Sequence, residues 1–78
     1  MDAHDKRINY LERKLPKMVQ KFDGTKLTVE EKYRKKFDKQ ARYMGNGVYE
    51  WAGVYSSDTR ELFLTGVLAC EGIKFVER

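Results

Sequence analysis

Residues 58–71 read DTRELFLTGVLACE, and the fold turns on whether they are strand or helix. Asp58 with Glu61 is a helix-start pair, and Gly72 just beyond the stretch is a helix stop. A helix here, however, would set Leu64 and Leu68 among its polar positions. As the second strand of a hairpin the stretch orders better. A loop over residues 57–60 pairs Ser56 with Glu61 and Tyr55 with Leu62. Tyr49, Trp51 and Tyr55 then share a face with Leu62, Leu64 and Leu68. Trp51 stands opposite Gly66 and Leu64 opposite Gly53, so each large side chain covers a glycine. A second turn at Glu71-Gly72 brings Cys70, Ile73 and Phe75 to the same face. The hairpin is the favoured reading. It makes VYEWAGVY (residues 48–55) one β-branched and aromatic strand, followed by the turn-rich SSDT.

Upstream the period is helical. His4, Ile8, Leu11, Leu15, Met18 and Phe22 recur at spacings of four and three. Pro16 interrupts this stripe without shifting its phase, which predicts one helix kinked at Pro16 and stopped at Asp23-Gly24. A second helix starts at Thr28, whose spacing to Glu31 is that of a capping box. It runs through Val29, Tyr33, Phe37, Ala41 and Met44 to Gly45-Asn46-Gly47. The sequence therefore predicts an α+β domain of order ααβββ. Two antiparallel N-terminal helices pack on a three-stranded antiparallel meander, in one domain with a helical half (2–45) and a β half (48–78).

Composition narrows the function classes. The chain has 78 residues and a net charge of +4. Residues 1–45 hold 13 Lys/Arg against 7 Asp/Glu, and residues 46–78 hold 3 against 5, so the basic charge belongs to the first half. Burial alone supplies about 3–5 kcal/mol in a domain this small, which favours a partner or self-association. One cysteine, Cys70, excludes an intrachain disulfide. One histidine and one cysteine do not make a protein-only zinc site of the usual kind. The lone thiol suits a reducing compartment, hence the cytoplasm. No apolar run reaches membrane-span length, and MDAHDKRINY is too charged for a secretory signal. No nucleophile–base spacing and no phosphate-cradling glycine loop is present, so neither enzyme nor cofactor is expected.

Two surfaces are candidates for binding. The first lies in KYRKKFDKQAR (residues 32–42), where six of eleven residues are basic. On a helix, Lys32, Lys35, Lys36, Lys39 and Arg42 fall along one flank, as a ridge able to track phosphates or an acidic partner. The plainer reading is a solvated helix flank, and no base-reading motif accompanies the ridge. The second is the reverse face of the meander, where Val48, Val54, Phe63, Val67 and Val76 would be left exposed by a single helical layer and mark an interface. The aromatics Tyr49, Trp51, Tyr55 and Phe63 suggest a stacking platform, but the register assigns most of them to the core. The leading expectation is a small non-enzymatic protein-binding module, a regulator or inhibitor occluding a larger partner, possessing a surface for homodimerisation. The alternative is a nucleic-acid-binding accessory protein using the basic ridge.

Overall fold

Leu15 precedes a proline, and proline's ring disfavours helical backbone in the residue before it. The first helix accordingly stops there. The structure, a computed structural model, describes residues 3–76, and helix α1 spans Ala3–Lys14. The expected kinked helix reaching Phe22 is not formed. Met18–Gln20 is instead strand β1, paired antiparallel with β2 (Lys26–Thr28), Val19 opposite Leu27. The in-phase stripe beyond Pro16 is a coincidence of spacing. Asp23-Gly24 turns a hairpin rather than capping a helix.

Thr28 begins the second helix as its spacing predicts. Its hydroxyl accepts the Glu31 N–H at 3.1 Å, and its own N–H donates to Glu31 Oε1 at 3.4 Å. Helix α2 covers Val29–Gln40, four residues shorter than expected. After Ala41 the chain becomes strand β3 (Arg42–Gly45), which pairs with β4 (Val48–Trp51) around Asn46-Gly47. Asn46 and Gly47 take left-handed φ of 55° and 78°, as a two-residue hairpin turn requires. Ala52 and Gly53 do the same at 56° and 81°. They fold VYEWAGVY in half, so that β5 (Val54–Ser56) pairs back on β4 with Val54 opposite Trp51. The meander is real, but its strands are β3, β4 and β5.

Residues 58–71 are therefore free to be a helix, and they are: α3 spans Thr59–Glu71. Asp58 Oδ1 accepts the Glu61 N–H at 3.0 Å. Gly72 closes the other end at φ 72°, with Ile73 N–H donating to the Leu68 carbonyl at 2.9 Å. The ααβββ order is thus overturned. The observed order is αββαβββα, an α+β fold with a two-stranded and a three-stranded antiparallel sheet.

The hydrophobicity pattern of α3 misled because the helix has no wet side along its middle. Every residue from Glu61 to Leu68 is buried. A helix enclosed all round needs no polar face. One side packs Leu64 and Leu68 on Leu11 of α1. The other packs Leu62, Phe63 and Val67 on Trp51, Val29 and Tyr33. Trp51 is the hub of this second cluster. It stacks on Phe63 with centroids 6.0 Å apart and planes 4° apart. Phe37 meets it edge-on at 5.2 Å, and its Nε1–H donates to Gln40 Oε1 at 3.2 Å. Trp51 does lie over Gly66, as the sequence suggested, though on a helix and not across a sheet. Leu64 belongs to the α1 cluster and not to Trp51's.

Candidate binding surfaces

The predicted apolar patch depends on the meander that does not form. Phe63 and Val67 are core residues, 5% and 0% exposed. Val54 is half-buried against the Trp51 cluster, and Val48 is half-buried on β4. Val76 is 66% exposed, in the segment after α3. The structure does not join these five into one surface. The aromatic platform dissolves for the same reason: Trp51 and Phe63 are buried, Tyr49 packs against the core, and Tyr55 is exposed on β5.

Four of the five ridge residues do share one flank of α2: Lys32, Lys35, Lys36 and Lys39. Arg42 does not, because it lies on β3. There its guanidinium meets Glu50 at 2.7 Å across the β3–β4 pair. The Arg42 hydrogen bond, with a further one from the Gly53 N–H, holds the Glu50 carboxyl below its ordinary range. Lys32 reaches Glu71 at 3.5 Å, and both Lys32 and Lys36 lie over the Tyr33 ring, at 5.0 and 5.5 Å. Lys35, Lys36 and Lys39 form no ion pair among the described residues. The α2 flank thus carries four lysines, of which Lys32 is paired and Lys35, Lys36 and Lys39 are left for solvent or a partner.

Two features were not anticipated. The first is the β1–β2 hairpin. Its loop is tied by its own hydrogen bonds: Lys21 N–H to the Thr25 carbonyl at 2.6 Å, and Gly24 N–H to the Lys21 carbonyl at 3.0 Å. Asp23 Oδ1 accepts both the Thr25 hydroxyl at 2.7 Å and the Thr25 N–H at 3.1 Å. Those bonds hold the Asp23 carboxyl below its ordinary range. At the tip of this ordered loop the Phe22 side chain is fully exposed. Exposed Lys21 lies beside it in the loop and exposed Lys26 starts β2, opposite Gln20, while Lys17 and half-exposed Met18 lie at the base of the hairpin. A signal for the hairpin existed: Asp-Gly flanked by apolar alternation is a hairpin turn as well as a helix stop.

The second is a groove of about 340 Å³ where α1, α3, β5 and the segment after α3 meet. Arg7, Glu61 and Thr65 form its floor, residues 53–57 one wall, and Phe75 another. Arg7 Nε stands 3.7 Å from Glu61 Oε1, with only 12% and 7% of the two side chains exposed. Nearby, His4 Nε2 is 2.7 Å from Asp58 Oδ2, which clasps the start of α1 to the residue that caps α3. Asp58 is thereby occupied in holding two helices together. None of the described helices is long and apolar enough to cross a membrane. No family model matches the chain, and no curated protein or solved structure matches it either.

Proposed function

We propose that the chain is a small, non-enzymatic protein-binding module that docks through the β1–β2 hairpin. The observation that carries this is Phe22, a fully exposed aromatic on a loop tied by hydrogen bonds. Leaving Phe22 in water forgoes roughly 1.5–3 kcal/mol of burial. A loop already ordered adds little entropy cost on association, and aromatic side chains of this kind dominate interface energies. Lys21 and Lys26, the exposed charges at the loop end of the hairpin, select an apolar pocket with an acidic rim. Filling such a pocket on a larger partner is how a small regulator or inhibitor occludes it. A cytoplasmic setting suits a chain with one unpaired thiol. A bilayer is the poorer match, because one aromatic at the tip offers too little apolar area to hold a chain on a surface.

The nucleic-acid reading keeps one supporting observation, the three lysines of α2 outside any described ion pair. It lacks groups placed to read bases, and phosphate contacts alone carry no sequence information.

The hairpin reading is tested with a photo-crosslinking side chain in place of Phe22, expressed in the source cell. A discrete crosslinked protein is expected, resistant to nuclease and weakened by Lys21→Glu with Lys26→Glu. Crosslinking no greater than from the same group at exposed Lys39 would refute it, as would a product that nuclease removes. Phe22→Ala should leave stability unchanged, since a fully exposed ring contributes little packing.

A further inference from the structure

We propose that the groove between α1, α3 and β5 binds an extended, uncharged peptide segment, which adds to the sheet as a fourth strand beside β5. This site is separate from the hairpin tip and does not depend on it.

The shape of the wall identifies the ligand class. Five consecutive residues, Gly53 to Ser57, line the groove. Three of them, Val54 to Ser56, are the whole of β5; side chains of a strand alternate between faces, so lining by all three points to the backbone edge as part of the wall. Among the described residues β5 is an edge strand, paired with β4 alone. The two-residue turn at Ala52-Gly53 makes Trp51 and Val54 a hydrogen-bonded pair, and such pairs alternate along an antiparallel ladder. Glu50 and Tyr55 are the non-bonded pair between. The N–H and C=O of Tyr55 therefore point away from β4, toward the groove side. No backbone hydrogen bond from another described element reaches them. This is an open donor–acceptor dyad of the kind that strand addition uses.

The floor sets the charge of the ligand. Arg7 Nε is buried without a hydrogen-bond acceptor, so it offers a donor to an incoming group. The Glu61 carboxylate at 3.7 Å makes the floor neutral overall. A ligand carboxylate attracted by Arg7 is opposed by Glu61, and a ligand ammonium meets the reverse. A carboxamide or hydroxyl gains a hydrogen bond without that opposition. The peptide side chain facing Arg7 is thus Asn, Gln, Ser or Thr, and its neighbours along the strand point outward beside Tyr55.

The test uses the full chain and a displayed library of random peptides, with counter-selection against Tyr55→Pro. Proline at this position removes the outward N–H together with the exposed ring, and edge strands tolerate it there; Tyr55→Ala, which keeps the N–H, separates the two and should retain most of the binding. Unchanged Trp51 fluorescence checks the fold. Enriched peptides should bind the natural chain roughly tenfold or more tighter than Tyr55→Pro. They should carry an uncharged polar residue at the position that faces Arg7. If Tyr55→Pro fails to fold, the same loss is read on the natural chain by N-methylating the peptide's pairing amide. Enriched peptides that ignore both the proline and the N-methyl group would overturn the proposal, as would a failure to enrich any. Sedimentation adds a third arm: a dimer that Tyr55→Pro dissociates would show that the edge takes a second copy of this chain, and would also overturn it.

Discussion

Gly66→Ala exposes the packing of α3 to a direct test. A Cβ at this position would lie 2.1 Å from Trp51 Cε3 and 2.5 Å from Cζ3. Non-bonded carbons settle at about 3.5–4.0 Å, so the indole must withdraw by more than about 1 Å. It has nowhere to go: Phe63 stacks on it, Phe37 meets it edge-on, and Gln40 holds its Nε1–H. Overpacking of this sort costs about 1–3 kcal/mol. Losing the part-buried indole hydrogen bond costs about 1 kcal/mol more. Alanine returns about 1 kcal/mol through its better helix propensity. The net expectation is a loss of about 1–3 kcal/mol, against a total stability of about 4–12 kcal/mol for a domain of this length. A loss of 2 kcal/mol lowers Tm by about 8–16 °C. Urea unfolding followed by Trp51 fluorescence measures it, Trp51 being the single tryptophan. In a Trp51→Phe background, followed by circular dichroism, the smaller ring should remove most of the penalty. A Gly66→Ala chain about 1 kcal/mol more stable than the natural one would refute the contact, because propensity would then be the only term acting.

Further outcomes follow from other contacts. Asp58→Ala removes the cap on Glu61 N–H and the partner of His4, and should cost about 1–2 kcal/mol in thermal unfolding; no loss would mean that packing alone sets the start of α3. Asp23 has its carboxyl held low by Thr25, so its contribution to hairpin order is full above the ordinary carboxylate range and fades as pH falls through the lowered value. The Thr25 amide resonance should move in that acid range and stay flat in Asp23→Asn, and a Thr25 amide insensitive to acid would contradict the bond. Lys35, Lys36 and Lys39 all replaced by Glu should fold normally and change little in nucleic-acid titrations, since weak non-specific affinity is expected at the outset; strong, steeply salt-dependent binding abolished by the triple change would make the basic ridge the functional site.

Local signals in the sequence were legible because their energetics close within one turn of chain. Thr28 with Glu31, Asp58 with Glu61, and Gly72 each act across four residues or fewer, and each appears in the structure as a cap. The four lysines along one flank of α2 were readable from helical spacing alone. The pairing of Lys32 and Arg42 was not, because Glu71 approaches Lys32 from α3 and Glu50 meets Arg42 across a sheet. Arg7 and the groove were invisible for the same reason, since its lining comes from α1, β5, α3 and the segment after it.

The sequence by itself determined a small α+β chain, the start of α2, both end signals of α3, a glycine at 66 matched to a large aromatic, and an uneven basic charge. Tertiary structure decided which of two self-consistent readings residues 58–71 adopt. An apolar stretch carries a face preference only when one side is wet. Along Glu61–Leu68 both sides are covered, by α1 on one and by Trp51, α2 and the sheet on the other, so periodicity there had nothing to report. The competing hairpin also required VYEWAGVY to run straight, whereas Ala52 at a positive φ turns it back. A left-handed alanine is disfavoured locally, and the burial of Trp51 and Val54 against α3 holds the turn in place.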